Sequence, residues 1–201
     1  TFIGQTEFLQ KLDNKKYSNM IFYSKKIIVT TLTTHIPLNK INFYLKQKTN
    51  IYNKIYSLNK LLIKDFNLSN PKLAICGINP HAGENGMLGN EEIIFLNPII
   101  KKLINNGVKI HGPFSPDTIF NIKNRLKYDC FICIYHDQAL IPFKLLSGFK
   151  GVNYTGSLSI IRTSPDHGTA YDLVNIKNAD DSSLINSFIL AEKIYKNRLR
   201  H

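Results

Sequence analysis

The chain has 201 residues, of which 26 are lysine or arginine and 14 are aspartate or glutamate, so its formal net charge is +12. A hydrophobic content of 43% excludes a disordered or collagen-like chain, and no window approaches the roughly 18 uncharged apolar residues of a membrane-spanning helix. The first residues lack a signal-peptide profile, and two of the three cysteines lie in apolar, strand-like runs. We therefore expect a folded, soluble protein of the reducing cytoplasm, without a membrane partner.

The positive charge is concentrated in the N-terminal part of the chain. Residues 1–75 hold 12 basic and 3 acidic residues, whereas residues 166–201 hold 5 of each. The basic residues are mostly lysines scattered among asparagine, isoleucine and tyrosine, a pattern that compositional drift produces without a selected partner. A nucleic-acid footprint would cluster on one stripe and contain arginine. We therefore do not expect a nucleic-acid partner, although a polyanion-binding surface stays open.

The predicted elements alternate between short apolar strands and longer amphipathic helices. In chain order they are strands at 19–23 and 26–31, helices at 39–45 and 50–66, a strand at 72–78, a helix at 91–106, strands at 108–110, 130–135 and 159–163, and a helix at 182–198. Strands separated by helices of this length pair in parallel through crossover connections. The sequence thus predicts an α/β fold in which helices flank a layered, largely parallel sheet. Such sheets bind ligands at the carboxyl ends of their strands.

Three histidines, His35, His81 and His136, directly follow predicted strands. Their separations of 46 and 55 residues exclude a zinc finger, but the ends of parallel strands in one sheet can bring such residues together. Three neutral imidazoles with an open fourth position suit a divalent metal ion that also holds substrate as a Lewis acid. Asp137, next to His136, is a candidate ligand or orienting residue. On spacing alone, three unrelated loop histidines remain the alternative.

Three further groups of residues have the chemistry of an anion-binding site. Residues 79–92 contain three glycines at three-residue spacing, which resembles a phosphate cradle but matches neither the P-loop nor the GxGxxG pattern, so a plain loop stays open. Lys144, Asn153 and Arg162 supply a cation, an amide and a guanidinium, which suit an anionic, phosphorylated amino acid. A helix start can present backbone N–H groups to a nucleotide, with a simple capped helix as the alternative. The residues at this helix start are Asp166, His167, Gly168, Thr169 and Ala170.

Six motifs resemble the 4-hydroxythreonine-4-phosphate dehydrogenase family of the vitamin B6 pathway, in order and in spacing, over essentially the whole chain. They are TTHIPL at 33–38, CGINPHAGENGMLGNEE at 76–92, GPF at 112–114 with DT at 117–118, YHDQ at 135–138, GVN at 151–153, and IRTS at 161–164 with DHGTA at 166–170. The resemblance implies a fold related to that of isocitrate and isopropylmalate dehydrogenases. Because any one of these motifs would be weak by itself, their agreement carries the resemblance.

The resemblance implies an NAD- or NADP-dependent, metal-dependent oxidation of 4-phosphooxy-L-threonine, followed by decarboxylation to 3-amino-2-oxopropyl phosphate. It also implies a homodimer whose site is shared between subunits and contains a zinc, magnesium or cobalt ion. The site residues that it implies are, for the metal ion, His35, His81 and His136; for the substrate, Thr6, Lys144, Asn153 and Arg162; and, for the nucleotide, Asp166 to Ala170. Asp117 and Asp137 are candidates for the catalytic base.

The chain departs from the family pattern in two respects. It matches only the C-terminal part of the family's length, so we expect residues 1–163 to form a metal- and substrate-binding, dimerising domain. Residues 164–201 would return toward a cofactor domain whose N-terminal part is absent. Gln5 stands where the family has a substrate-binding histidine, and glutamine cannot carry a positive charge. Two alternatives stay open: a three-histidine metal hydrolase, and a truncated, inactive remnant that binds polyanions.

Overall fold

A computed structural model describes residues 4–168 and 179–200 of the chain. Its strands are β1 (Asn19–Ser24), β2 (Ile27–Thr31), β3 (Leu73–Cys76), β4 (Ile110–Phe114), β5 (Cys130–Cys133), β6 (Val152–Gly156) and β7 (Arg162–Pro165). Its α-helices are α1 (Gln5–Leu12), α2 (Ile41–Leu45), α3 (Lys48–Phe66), α4 (Asn97–Asn105), α5 (Pro116–Ile119), α6 (Ile122–Lys127), α7 (His136–Ser147) and α8 (Ser182–Arg198). Within these two ranges, no helix has the length and apolar character needed to span a bilayer.

All seven strands form one sheet, in the order β4-β3-β5-β2-β1-β6-β7. β4, β3, β5 and β2 pair with one another in parallel, whereas β1, β6 and β7 join the sheet through antiparallel pairing. Helices connect the parallel strands, as crossover connections require. The predicted α/β class, a layered sheet with flanking helices, is confirmed.

A separate apolar cluster covers each face of the sheet. On one face the core includes α3, whose inward residues Ile51, Ile55 and Leu62 recur at helical spacing and are completely buried. On the other face α7 packs against the sheet. Cys130 and Cys133 fall in different clusters because successive strand residues point to opposite faces, and both are free thiols. Packed apolar side chains therefore cover both faces of the sheet, and the loops project from its edge.

Local contacts explain where the structure departs from the predicted elements. β7 begins at Arg162 rather than at 159, because the Asp13 carboxylate accepts hydrogen bonds from both the backbone amide and the hydroxyl of Ser159. The sequence pattern does not indicate β6, which is short and partly polar, or α7, which contains Pro142. The last helix, by contrast, spans the predicted residues, since the Asp180 carboxylate accepts the amide of Ser182 at its start.

Candidate active site

The three histidines predicted to bind metal follow three neighbouring strands. β5 lies between β3 and β2 and is parallel to both, so the carboxyl ends of these strands meet at one edge of the sheet. His136 lies three residues beyond β5, His35 four beyond β2, and His81 five beyond β3. Neighbouring strands are only about 4.8 Å apart. The strand ends are therefore close together, and the loops decide where the imidazoles lie.

A cavity of about 800 Å³ gathers many of the predicted site residues. Those that line it are His35, His136, Asp137, Lys144, Asn153, Asp166 and His167. His81 does not line this cavity, and the described part of one chain contains no group of three or more histidine, cysteine or acidic residues placed to hold a metal ion. One copy of the chain thus places two of the three histidines on the same cavity.

Each of these two imidazoles contacts a carboxylate through Nδ1. His35 Nδ1 lies 3.3 Å from Glu7 Oε1, and His136 Nδ1 lies 2.7 Å from Asp137 Oδ1. When a carboxylate accepts a hydrogen bond from Nδ1–H, Nε2 keeps its lone pair, which is the arrangement found in metal-binding histidines. The donor chemistry therefore fits a divalent metal ion. The sequence does not predict the contact between Glu7 and His35, because 28 residues separate them and no spacing rule relates the two positions.

The third histidine lies in a left-handed turn that follows β3. The five residues from His81 to Asn85 have φ values between 42° and 80°. Asp117, at the start of α5, accepts a hydrogen bond from Ser115 Oγ at 2.5 Å. That hydrogen bond, together with the nearby His81 imidazole, lowers the pKa of Asp117. His81 and Asp117 thus form a second group, outside the cavity that His35 and His136 line.

A buried glutamine joins the loops that carry His136 and His81. Gln138 lies two residues after His136 in the first turn of α7 and is 8% exposed. Its Oε1 accepts the amide of Ile134 at 2.7 Å, and its Nε2 donates to the carbonyl of Gly77 at 2.8 Å. Nothing in the sequence indicates that this side chain is buried, so its bridging position becomes visible only in the structure.

The predicted substrate-binding residues lie on β6, β7, α7 and α1. Lys144 and Asn153 line the large cavity, and the buried Asn153 Oδ1 has no hydrogen-bond partner within the described ranges. On the next strand Arg162 Nη2 donates to Gln5 Oε1 at 2.7 Å, and burial lowers the pKa of this guanidinium. Thr6 is buried and lines a neighbouring cavity of about 180 Å³. Of the four predicted substrate-binding residues, two therefore line the large cavity, and Arg162 and Thr6 lie outside its lining.

The predicted nucleotide-binding segment is described as far as Gly168, and Thr169 and Ala170 lie outside the described residues. Asp166 and His167 border both the large cavity and another of about 260 Å³. Burial raises the pKa of Asp166, opposed by the positive charge of Lys144. Because the two cavities share these residues, they offer adjoining spaces for two ligands.

Comparisons with known proteins identify the family to which the chain is similar. The family model described as pyridoxal phosphate biosynthetic protein PdxA matches residues 1–191. A 4-hydroxythreonine-4-phosphate dehydrogenase of Aquifex aeolicus is 44% identical over 191 residues, which are 95% of this chain and 58% of the relative. A D-threonate 4-phosphate dehydrogenase of Pectobacterium atrosepticum is 37% identical over 191 residues, with the same two coverages. The chain therefore spans less than two thirds of the length of these curated relatives.

A solved structure is similar in three dimensions as well. The crystal structure of 4-hydroxythreonine-4-phosphate dehydrogenase from Klebsiella pneumoniae superposes with a TM-score of 0.83 at 37% sequence identity. The match covers 96% of this chain and 59% of that structure. With the family model matched over nearly the whole chain, and with the sheet and its strand-end histidines in place, this chain belongs to the PdxA family of pyridoxal phosphate biosynthetic proteins.

Proposed function

We propose that this chain supplies the metal- and substrate-binding part of an NAD- or NADP-dependent enzyme of vitamin B6 biosynthesis. The reaction is oxidation of 4-phosphooxy-L-threonine followed by decarboxylation to 3-amino-2-oxopropyl phosphate. The observation that carries the proposal is the cavity at the strand ends, which is lined by His35, His136, Lys144 and Asn153, whose Oδ1 has no hydrogen-bond partner in the described part of the chain. Residues 1–163 would form the metal- and substrate-binding domain, and residues 164–201 would return to the cofactor domain.

The metal site rests on the orientation of the histidines. His35, His81 and His136 would hold the divalent ion, which would supply Lewis-acid chemistry to a substrate hydroxyl and to the ketone that decarboxylates. The carboxylates of Glu7 and Asp137 hold two of these rings through Nδ1, which leaves each Nε2 free to bind the ion. Asp137 therefore acts as an orienting residue. Zinc, magnesium and cobalt all remain candidates for the ion.

The remaining residues bind and position the two organic molecules. Lys144 and Arg162 carry the positive charge that a phosphate group requires, and Asn153 Oδ1 can accept a hydrogen bond from an ammonium or hydroxyl group. Asp166 and His167 border both adjoining cavities, where they would contact the nucleotide bound next to the substrate. Asp117, which lies near His81, and Asp137 are the two candidates for the catalytic base.

A second copy of the chain completes the site in this proposal. His81 lies outside the cavity that His35 and His136 line, so a single copy holds an incomplete ligand set. In a homodimer, the His81 turn of one subunit would reach the cavity of its partner. Symmetric dimers place one surface patch of each subunit against the other, which produces two equivalent shared sites.

The decisive experiment is a nicotinamide reduction assay. The 201-residue chain is incubated with 4-phosphooxy-L-threonine, a divalent metal ion and NAD or NADP, with and without a separately supplied polypeptide that covers the unmatched part of a relative. Reduction with substrate, and none with unphosphorylated hydroxythreonine, supports the proposal. D-threonate 4-phosphate tests the activity named for the Pectobacterium relative. Phosphate release without nicotinamide would instead indicate a hydrolase, and salt-sensitive RNA binding without metal a polyanion-binding remnant.

Replacing His81 by alanine should weaken Co²⁺ binding by about 100-fold, since even the loss of a partner that orients a ligand costs 10- to 100-fold. Isothermal titration calorimetry of the metal-free chain measures the affinity. His111→Ala removes an exposed histidine outside the proposed site and should leave the affinity unchanged. Mixing the His81→Ala and His136→Ala chains tests the shared site, because mixed dimers would contain one intact ligand set. Equal affinity in His81→Ala and the unaltered chain would remove His81 from the ligands.

Replacing Arg162 by alanine should weaken binding of 4-phosphooxy-L-threonine by about 1.5 to 3 kcal/mol, the usual contribution of hydrogen bonds to charged groups. The guanidinium is partly buried beside Gln5, so its charge is desolvated and oriented. Calorimetric titration with saturating metal measures the change, and Arg200→Ala removes an exposed arginine as the matched control. Unchanged affinity in Arg162→Ala would exclude a phosphate contact.

A further inference from the structure

The turn that carries His81 adopts a backbone conformation that its residues disfavour. Four of its five left-handed residues are not glycine: His81, Ala82, Glu84 and Asn85. Left-handed backbone brings Cβ too close to the following carbonyl oxygen, so successive residues of this kind persist only when surrounding contacts hold them. The turn closes on itself through the amide of Leu88, which donates to the carbonyl of Gly83 at 3.1 Å. A further group must fix the turn to the sheet.

That group is the carboxylate of Glu92, in the π-helical turn Glu92–Leu96. Glu92 is 2% exposed, and its Oε1 accepts the backbone amides of Ile78 at 2.7 Å and Asn79 at 2.8 Å. Its Oε2 accepts Asn79 Nδ2 at 2.9 Å. No cationic side chain in the described ranges forms an ion pair with it. The buried charge is therefore satisfied by the loop itself.

Two glycines allow the loop to approach this carboxylate closely. A Cβ on Gly83 would lie 2.7 Å from Glu92 Oε2, and a Cβ on Gly77 would lie 2.9 Å from Glu92 Oε1 and 2.8 Å from Ala82 Cα. Any side chain at either position would force the loop and the carboxylate apart. Both glycines therefore lie against the Glu92 carboxylate, a contact that their spacing in the sequence does not predict.

The sheet fixes the chain only as far as Gly77. The Gly77 amide donates to the carbonyl of Phe114 at 2.8 Å, and its carbonyl accepts Gln138 Nε2 at 2.8 Å. Beyond it, the Glu92 carboxylate holds the amides of Ile78 and Asn79, the last residues before the turn that begins at Pro80. The backbone amides that lead into the His81 turn are thus held by Glu92, whereas the neighbouring Glu91 contacts the side chain of Asn79 rather than these amides.

We propose that Glu92 is the positioning residue of His81, because its buried carboxylate binds the two amides that precede the left-handed turn. Glu92 does not line the cavity of the proposed site and acts through the loop. The effect on metal binding rests on the proposed function, in which His81 is a ligand. The effect on the loop itself does not, so the two can be tested separately.

Amide hydrogen exchange of the metal-free chain tests the loop directly. Glu92→Asp keeps the charge but withdraws it by one methylene, so exchange of the Ile78 and Asn79 amides should rise about tenfold or more, as for a lost hydrogen bond. Glu92→Gln keeps an oxygen that can accept both amides but places its Nε2 against the donor Asn79 Nδ2, so exchange should rise less than in Glu92→Asp. Glu91→Gln is the matched control, because this neighbouring carboxylate contacts the side chain of Asn79 but not these amides.

Metal titration of the same variants tests the consequence for His81. Glu92→Asp should bind Co²⁺ about 10- to 100-fold more weakly and alter the absorption spectrum of the bound ion, Glu92→Gln should be affected less, and Glu91→Gln should resemble the unaltered chain. Slow amide exchange in Glu92→Asp would overturn the inference, whatever the metal affinity. If His81→Ala weakens Co²⁺ binding while Glu92→Asp does not, the inference falls and the proposed site stands. If His81→Ala has no effect, His81 is not a ligand, and the exchange result alone decides whether Glu92 holds the turn.

Discussion

Replacing Arg198 by methionine should lower the free energy of unfolding by about 3 to 5 kcal/mol, the usual cost of removing one partner from a buried ion pair. Arg198 Nε donates to Asp65 Oδ1 at 2.7 Å, and the Asp65 side chain is only 3% exposed. The same carboxylate accepts the hydroxyl of Tyr154 at 2.5 Å. Without the guanidinium, the Asp65 charge would remain buried with hydrogen bonds but no counter-charge. Urea-induced unfolding of both chains measures the difference.

Two variants serve as controls for this result. Lys196→Met removes an ion pair of the same helix, but both of its partners are more than 60% exposed, so we expect a loss of about 0.5 kcal/mol or less. The double variant Asp65→Asn/Arg198→Met also removes the buried carboxylate charge, so it should recover part of the lost free energy of unfolding. Equal losses in Arg198→Met and Lys196→Met would show that the pair between α3 and α8 contributes no more than a surface contact.

The free energy of unfolding should also rise with pH between about 8 and 10.5 because of Lys54. Desolvation lowers the pKa of this enclosed ammonium group from 10.5 to about 8, partly opposed by the charge of Glu7. Below pH 8 both states are protonated and the folded state bears the full desolvation cost. Between the two values the folded state releases its proton first, so stability increases with pH. At 1.36 kcal/mol per pKa unit, the total rise is about 3 kcal/mol.

Lys54→Met should abolish that rise. Because other groups titrate over the same range, the informative quantity is the difference in unfolding free energy between the unaltered chain and the variant, measured by urea unfolding at several pH values. Lys60→Met, an exposed lysine of the same helix, controls for the loss of one positive charge. A difference that stays constant from pH 7 to pH 10.5 would contradict the shifted pKa. The absolute effect of Lys54→Met also includes the lost hydrogen bond to the carbonyl of Leu32.

The layers of the fold follow from patterns that act over short distances. The apolar residues of α3 recur at helical spacing, and the strands that became β3 and β5 are short and wholly apolar, so both their type and their parallel pairing are predictable. α8 spans the predicted residues because Asp180 marks its start. β6 and α7 escape prediction, since the partly polar sequence of one and the internal Pro142 of the other obscure the periodicity.

The sequence predicts many of the residues that belong to the candidate site, but it does not predict how they are arranged in space. Sequence spacing identifies the strand-end histidines, because the topology of a parallel sheet brings its strand ends together. It does not identify Glu7, Gln138 or Glu92, whose partners lie on other elements. Sequence spacing also cannot show that His81 lies outside the cavity lined by His35 and His136. The left-handed turn that places it there depends on the buried Glu92 carboxylate, 11 residues further along the chain. Long-range polar contacts leave no periodic trace in a sequence.

The bridge formed by Gln138 has a consequence for kinetic measurements. A carboxamide neither gains nor loses a proton over the range in which enzymes are assayed. The link between the Gly77 carbonyl and the first turn of α7 therefore keeps the same strength in mildly acidic and alkaline buffers. Under the proposed function, this bridge would therefore add no ionisation of its own to a bell-shaped rate profile, which would report other groups that gain or lose a proton.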